Sequence, residues 1–370
     1  MTPLESIHDE HGATYTDLGG RRVVANYGRP DRVHRAVRNG AGLIEHALDV
    51  VVVEGEDRHG FVDDAVSNRI PTADGEGVYA LLLDPQGRVE TDMYVLVAAD
   101  RLLVLTPSGQ GEPLAADWRE KTFIQDVTID ERTDDFGVFG VHGPQATEKI
   151  ASVFSAQTPD DPLTFVRGSM GDHGVTVLRD DGLAGEEGYL VVSTADAAER
   201  VFDTLETHGL NAAPFGLDTW HSLTLEAGTP LFETELAGRI PNDLGLRNAV
   251  DFEKGCFVGQ EVVSRVENRG EPANRLVGLV VAVEEERATD EETIPATGAD
   301  VLAGDDSVGE VTRAVESPML AAPIALALVE SGSAGGALSI RIDGGTVAAE
   351  TENLPFVEGS DRSARVPTYL

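Results

Sequence analysis

The chain runs to 370 residues with 41% apolar content, too long for one ordinary core and too apolar for disorder, so two or three packed domains are expected. Against 28 Lys and Arg it carries 65 Asp and Glu, a net charge of −37, and such a field repels phosphate backbones, which argues against nucleic acid as a partner. No apolar run approaches the ~20 residues of a membrane span, and the opening stretch MTPLESIHDEHG lacks a basic region followed by an apolar core, so no membrane partner and a cytoplasmic location are expected.

Only three lysines occur, Lys121, Lys149 and Lys254; every other strong cation is arginine. An acidic chain nearly stripped of lysine suits molar salt, where the Debye length falls to ~3 Å and self-repulsion is screened. A site for basic partners is the rival reading, but the acids are spread along the chain. The single cysteine, Cys256, excludes an internal disulfide, and the nine histidines show no zinc-binding spacing, so no metal is expected.

Residues 33–48 carry apolar positions at helical spacing, which Gly40 and Gly42 divide into a helix and a following turn. Val50–Val53 reads as a buried strand. Val78–Leu83 and Met93–Val97 read as strands joined by Asp84-Pro85-Gln86-Gly87, a sequence suited to a type I turn. Leu102–Leu105 is the next strand. Ala195–His208 reads as a helix with Thr194 placed to cap its start and Gly209 just past its end. The character changes after Arg275: Leu276–Val283 is β-rich, Glu284–Glu292 is polar and acidic, and short strands with Gly and Asp turns follow to Val357. The closing segment Glu358–Leu370 is polar and reads as a loose tail.

The octamer Lys254-Gly255-Cys256-Phe257-Val258-Gly259-Gln260-Glu261 sets a lysine, a thiol, an aromatic ring, an amide and a carboxylate between two glycines. One reading is plain structure: a glycine turn into an amphipathic helix, with Cys256 a small buried hydrophobe. This run is also similar to the KGCYxGQE signature of YgfZ-type folate proteins and to the KGxFxGxE run of glycine-cleavage T-proteins. The resemblance extends over nearly the whole chain. His11-Gly12-Ala13 and Ala41-Gly42-Leu43 look like the T-protein opening, Leu225-Glu226-Ala227-Gly228 with Ile240-Pro241 like the approach to the signature, and Ser317-Pro318-Met319-Leu320 with Leu354-Pro355-Phe356-Val357 like its C-terminal barrel.

The resemblance implies an α+β fold, a T-protein-like three-domain cloverleaf, with folate in its central hole. Residues 1–275 would form a folate-binding, aminomethyltransferase-like region of two interleaved domains, and residues 276–370 a C-terminal β-barrel. It implies tetrahydrofolate as cofactor. Asp92 matches the catalytic second Asp of the T-protein GG-x-x-DD-L run, although Thr91 replaces the first. A carboxylate there would orient the folate amine and offset its developing positive charge. Glu186 matches the pterin-binding Glu of the GYTGEDG loop, since a carboxylate can accept two donors from one ring edge; Tyr189 and Lys254 are the further cofactor-binding candidates. Both arginines of the T-protein R-D-x-L-R-L-E-A-G run are absent from Trp220–Gly228, and the GLFDVSHM stretch is altered to Gly42–Asp49.

Two functions follow from the resemblance. One is transfer of an aminomethyl or methyl unit to tetrahydrofolate, with Asp92 as the catalytic group and a lipoyl carrier protein as a partner. The other is YgfZ-like support of iron–sulfur proteins, with Cys256 as the catalytic group. The charge balance generates its own prediction: the melting temperature rises between dilute buffer and molar KCl, and a flat or falling value would contradict the salt-adapted reading.

Overall fold

The run Val50-Val51-Val52-Val53 is buried at every residue, as a central strand covered on both faces must be. In the computed structural model, which describes residues 4–282, 294–342 and 344–369, it lies in β4 (Leu48–Glu54). This strand belongs to a five-stranded antiparallel sheet with β5 (Gly77–Leu83), β6 (Val89–Ala98), β7 (Arg101–Pro107) and β8 (Thr128–Glu131), in the order β5-β6-β7-β4-β8. Alternation divides the sheet. Val51, Val53, Val95 and Val104 pack toward Val62 of α3 (Arg58–Ala65) and Trp118 of α4 (Gly111–Lys121). Val50, Val52, Leu96 and Leu105 face the central core. The expected β5–β6 turn closes with Gly87 N–H bonded to the Asp84 carbonyl at 2.9 Å.

A six-stranded sheet runs β10 (Phe165–Met170), β11 (His173–Arg179), β12 (Gly188–Thr194), β9 (Phe136–His142), β3 (Gly42–Glu45), β13 (Ala213–Pro214). Its β3 precedes the whole five-stranded sheet in the chain and its β9 follows it, so the two sheets are interleaved along the sequence. Helix α2 (Pro30–Asn39) ends where the glycines predict. The 195–208 segment starts as a tight 3-10 turn and continues as α6 (Ala198–Thr207), but the Thr194 side chain makes no capping bond. Gly209, with φ of +65°, follows it as expected.

The strands β14 (Asn274–Val281), β15 (Asp300–Ala303), β16 (Asp306–Ser317), β17 (Ala322–Glu330), β18 (Leu338–Ile342) and β19 (Gly345–Glu352) close into a barrel in the order β14-β17-β16-β15-β18-β19. Closure removes the exposed edges that an open sheet would present. The acidic run Glu284–Glu292 lies outside the described residues. Buried Glu226, at the end of α7 (Leu217–Glu226), ties the parts together: it accepts from His34 Nε2 at 2.9 Å, from Arg38 Nη2 at 2.9 Å and from Ser317 Oγ at 2.6 Å.

The segment after Glu358 corrects the sequence expectation of a loose tail. It threads back into the body. Ser360 N–H and Oγ donate to Glu186 at 2.9 and 2.6 Å, Ala364 N–H to the Asp181 carbonyl at 2.9 Å, and Thr368 N–H to the Gly245 carbonyl at 3.0 Å. Its polar side chains look solvated in sequence, yet Ser363, Arg365 and Val366 are all buried.

Candidate functional site

Between the two sheets, α7 and the returning tail lies a cavity whose space, open mouth included, is about 920 Å³. The inner face of β6 supplies Asp92 and Tyr94, two residues apart and therefore on one side of the strand. Trp220 and His221 of α7, Glu233 and tail residue Arg365 complete the polar and aromatic wall, with Leu190 of β12 beside them.

Asp92 is buried where an aspartate in a hairpin would ordinarily face water. Its Oδ2 accepts from the Tyr79 hydroxyl at 2.9 Å and from Arg365 Nη1 at 3.1 Å. Its Oδ1 is buried with no hydrogen-bond partner among the described residues. Burial pushes the Asp92 carboxyl up, against the opposing pull of Arg365 and the Tyr79 hydroxyl. Arg365 also reaches Asp181 Oδ2 at 3.3 Å and donates to the Tyr94 hydroxyl, which itself donates to Asp181 Oδ1 at 2.5 Å. The guanidinium lies 3.7 Å from the centre of the Tyr79 ring, a cation–π contact in a desolvated setting. One arginine thus serves two buried carboxylates and two phenols.

The opposite wall is also ionisable. Glu233 is exposed at the cavity rim, and the surrounding protein and the Asp92 charge push its carboxyl up. His221 is held down to about 4 by burial and by the charge of Arg313. Arg313, on β16 of the barrel, donates to Thr224 Oγ1 at 2.9 Å and to the Thr229 carbonyl at 2.6 Å, so the barrel braces this wall without lining the cavity.

The other residues singled out in the sequence sit elsewhere. Glu186 is outside the cavity lining. Its Oε1 is taken by Arg38 Nη1 at 2.9 Å and its Oε2 by Ser360, so it anchors the tail. Tyr189 precedes the cavity residue Leu190 on β12, and strand alternation turns it to the other face; its hydroxyl meets Thr147 Oγ1 at 3.0 Å. Lys254 does not reach the cavity. Its ammonium donates to the carbonyls of Asp63, Val66 and Asn68, the last two at 2.9 and 2.7 Å, and so neutralises the end of α3. Cys256 is exposed and off the cavity wall, against the expectation of a small buried hydrophobe. The octamer does form a glycine turn into a helix, α8 (Gln260–Arg269). A Cβ on Gly259 would lie 2.6 Å from the Asp84 carbonyl oxygen, so glycine there lets the turn dock on the β5–β6 hairpin. Sequence reasoning missed Arg365, Tyr79, Tyr94 and Glu233, which carry no local pattern and meet only through the fold.

Fold and cavity together define a protein with two interleaved sheets, a closed barrel and a cavity beside a buried carboxylate. Residues 4–254 match the GCVT N-terminal domain and residues 274–358 the glycine cleavage T-protein C-terminal barrel domain. The aminomethyltransferase of Cutibacterium acnes is 32% identical, with 97% of this chain and 98% of that one covered. A probable aminomethyltransferase of Natronomonas pharaonis is 30% identical over 96% of this chain and 98% of its own. The chain belongs to the glycine-cleavage T-protein, or aminomethyltransferase, family. The crystal structure of glycine cleavage system aminomethyltransferase T from Bartonella henselae has the same fold, with a TM-score of 0.85 at 22% identity and 98% of each chain covered. Among the described residues no helix is long and apolar enough to cross a membrane.

The Arg365 cluster generates a stability prediction. Arg365→Ala strands Asp92 and Asp181 as buried, uncompensated carboxylates, and the expected loss in urea unfolding is ~3–5 kcal/mol. A loss under about 1 kcal/mol, the range of an exposed pair, would contradict the burial assigned to this cluster.

Proposed function

We propose that the protein binds tetrahydrofolate in this cavity and transfers an aminomethyl or methyl unit to it. One observation carries the reading: Asp92 lines the cavity and keeps an acceptor atom, Oδ1, buried without a donor. A buried acceptor of that kind calls for a ligand N–H. The Trp220 ring on the cavity wall and membership of a family whose relatives are named aminomethyltransferases support the same reading.

When bound, the folate supplies the nucleophilic ring nitrogen that takes up the one-carbon unit. Asp92 Oδ1 orients that nitrogen through its N–H and offsets the positive charge that develops there. Tyr79 and Arg365 hold Oδ2, which fixes the carboxylate plane and leaves one oxygen for the ligand. Leu183, Leu190 and Leu231 exclude water from the same wall. Glu186, Tyr189 and Lys254 act at one remove, by holding the tail, β12 and α3 around the cavity. The donor is an aminomethyl group presented by a lipoyl carrier protein. The iron–sulfur reading through Cys256 draws less support, because the thiol is exposed and stands off the cavity wall.

Titration calorimetry with tetrahydrofolate in molar KCl is expected to give a 1:1 isotherm that Asp92→Asn changes only a few-fold. Single-turnover transfer from an aminomethyl-loaded lipoyl carrier is expected to fall ~10²–10³-fold in Asp92→Asn and to be nearly unchanged in Cys256→Ser. No heat with the wild-type protein, or undiminished transfer by Asp92→Asn, would overturn the proposal.

A further inference from the structure

On the cavity wall away from Asp92, His46 is joined to two buried residues that the folate reading does not use. Its Nε2 lies 3.3 Å from Nε2 of His142, and His142 Nδ1 lies 3.3 Å from Asp180 Oδ2. His142 and Asp180 are fully buried, whereas His46 is half-buried and lines the cavity. Trp220 packs against both rings, with centroids at 4.8 Å from His46 and 4.9 Å from His142. The neighbouring chain leaves room for this row of groups. A Cβ on Gly140 would lie 2.4 Å from both Nε2 atoms, and one on Gly188 would lie 2.1 Å from Asp180 Oδ2.

Asp180 Oδ1 accepts from the Gly182 amide at 2.8 Å; its Oδ2 lies at ion-pair distance from His142 Nδ1 but outside hydrogen-bond geometry, so charge rather than a formed hydrogen bond biases the tautomers. Burial would push Asp180 up, but His142 and the Gly182 amide hold it below the usual carboxylate range, so it is an anion. An anion beside Nδ1 selects Nδ1–H on His142, which leaves His142 Nε2 as an acceptor. His46 must then carry its proton on Nε2, and its Nδ1 is a lone-pair acceptor with no hydrogen-bond partner among the described residues. Burial and the neighbouring His142 hold His46 down to about 3, so this imidazole is neutral in any ordinary buffer.

We propose that His46 is a second hydrogen-bond acceptor of this cavity, set in its acceptor tautomer by His142 and Asp180, and that it serves a ligand N–H distinct from the one at Asp92. The inference rests on the folate reading, because a reduced pterin-type ligand offers several separate N–H donors. His142 and Asp180 are positioning residues, acting on the ligand only through His46.

The test is long-range ¹H–¹⁵N spectroscopy of protein labelled at histidine, with His46→Phe and His142→Gln spectra giving the assignments. The wild-type protein is expected to show Nε2–H on His46 and Nδ1–H on His142. Tetrahydrofolate is expected to shift the His46 Nδ1 resonance. Asp180→Asn, which presents an amide donor to His142, is expected to reverse both tautomers. By calorimetry, His46→Phe is expected to bind tetrahydrofolate roughly tenfold more weakly and His46→Asn, which keeps an oxygen near Nδ1, less so. An Nδ1–H tautomer on wild-type His46, or calorimetric binding that leaves His46 Nδ1 unmoved, overturns the inference. Absence of any calorimetric heat overturns instead the folate reading and the ligand assigned here, while the spectra of the free protein still decide the tautomers.

Discussion

Two aspartates, Asp92 and Asp181, sit within hydrogen-bonding reach of one guanidinium in the interior of this protein. Neither carboxylate would be tolerated there alone, because an uncompensated buried charge costs several kcal/mol. Arg365 makes the arrangement possible, and Arg365 arrives from the extreme end of the chain. Residues that follow the barrel must therefore return to the first sheet before the cavity has its charge balance. That requirement explains the tail's many anchors: Glu186 takes Ser360, Arg179 takes Asp361 at 2.6 Å, and Asp181 gives its carbonyl to Ala364. Part of the framework around the cavity exists to hold one arginine in place.

The same logic separates the inside of the molecule from its surface. Outside, carboxylates outnumber cations and are left to the solvent and its ions. Inside, cations are matched to acceptors. Of the three lysines, Lys149 and Lys254 are buried against backbone carbonyls, and only Lys121 faces solvent. Arg38, Arg313 and Arg365 each connect elements far apart in sequence. A delocalised guanidinium with several donors can satisfy partners on different strands at once, which an ammonium on a flexible stem does less well. The preference for arginine thus has a structural use here as well as a compositional one.

Much of the fold was legible in the sequence because it rests on local rules. The buried valine run, the Asp84–Gly87 turn, the glycine-terminated helix before β3 and the late β-rich region are all periodicity or turn chemistry. The tail and the polar network were not legible. Ser363 and Arg365 look solvated when read locally but are buried, and nothing in the segment says that Glu186 and Asp92 wait for it some 170 and 270 positions upstream. The site was legible only in part. Asp92 reached the cavity wall, whereas Glu186, Tyr189 and Lys254 were picked from the right neighbourhoods but are turned to structural partners. Matching a motif identifies a loop; which face of a strand or which carbonyl a side chain meets is decided by tertiary packing. His46 follows β3, His142 ends β9 and Asp180 follows β11, and no spacing rule joins them.

The central claim is that Asp92 Oδ1, left without a donor by Tyr79 and Arg365, is completed by a ring N–H of a reduced folate. A crystal structure of the protein grown in high salt with tetrahydrofolate measures this directly. The account predicts the pterin ring inside the cavity beside Trp220, with a ring nitrogen within ~3.2 Å of Asp92 Oδ1 and the Arg365 contacts unchanged. A folate seated outside the cavity, or inside it with Oδ1 bonded only to water or to the protein, would contradict the account.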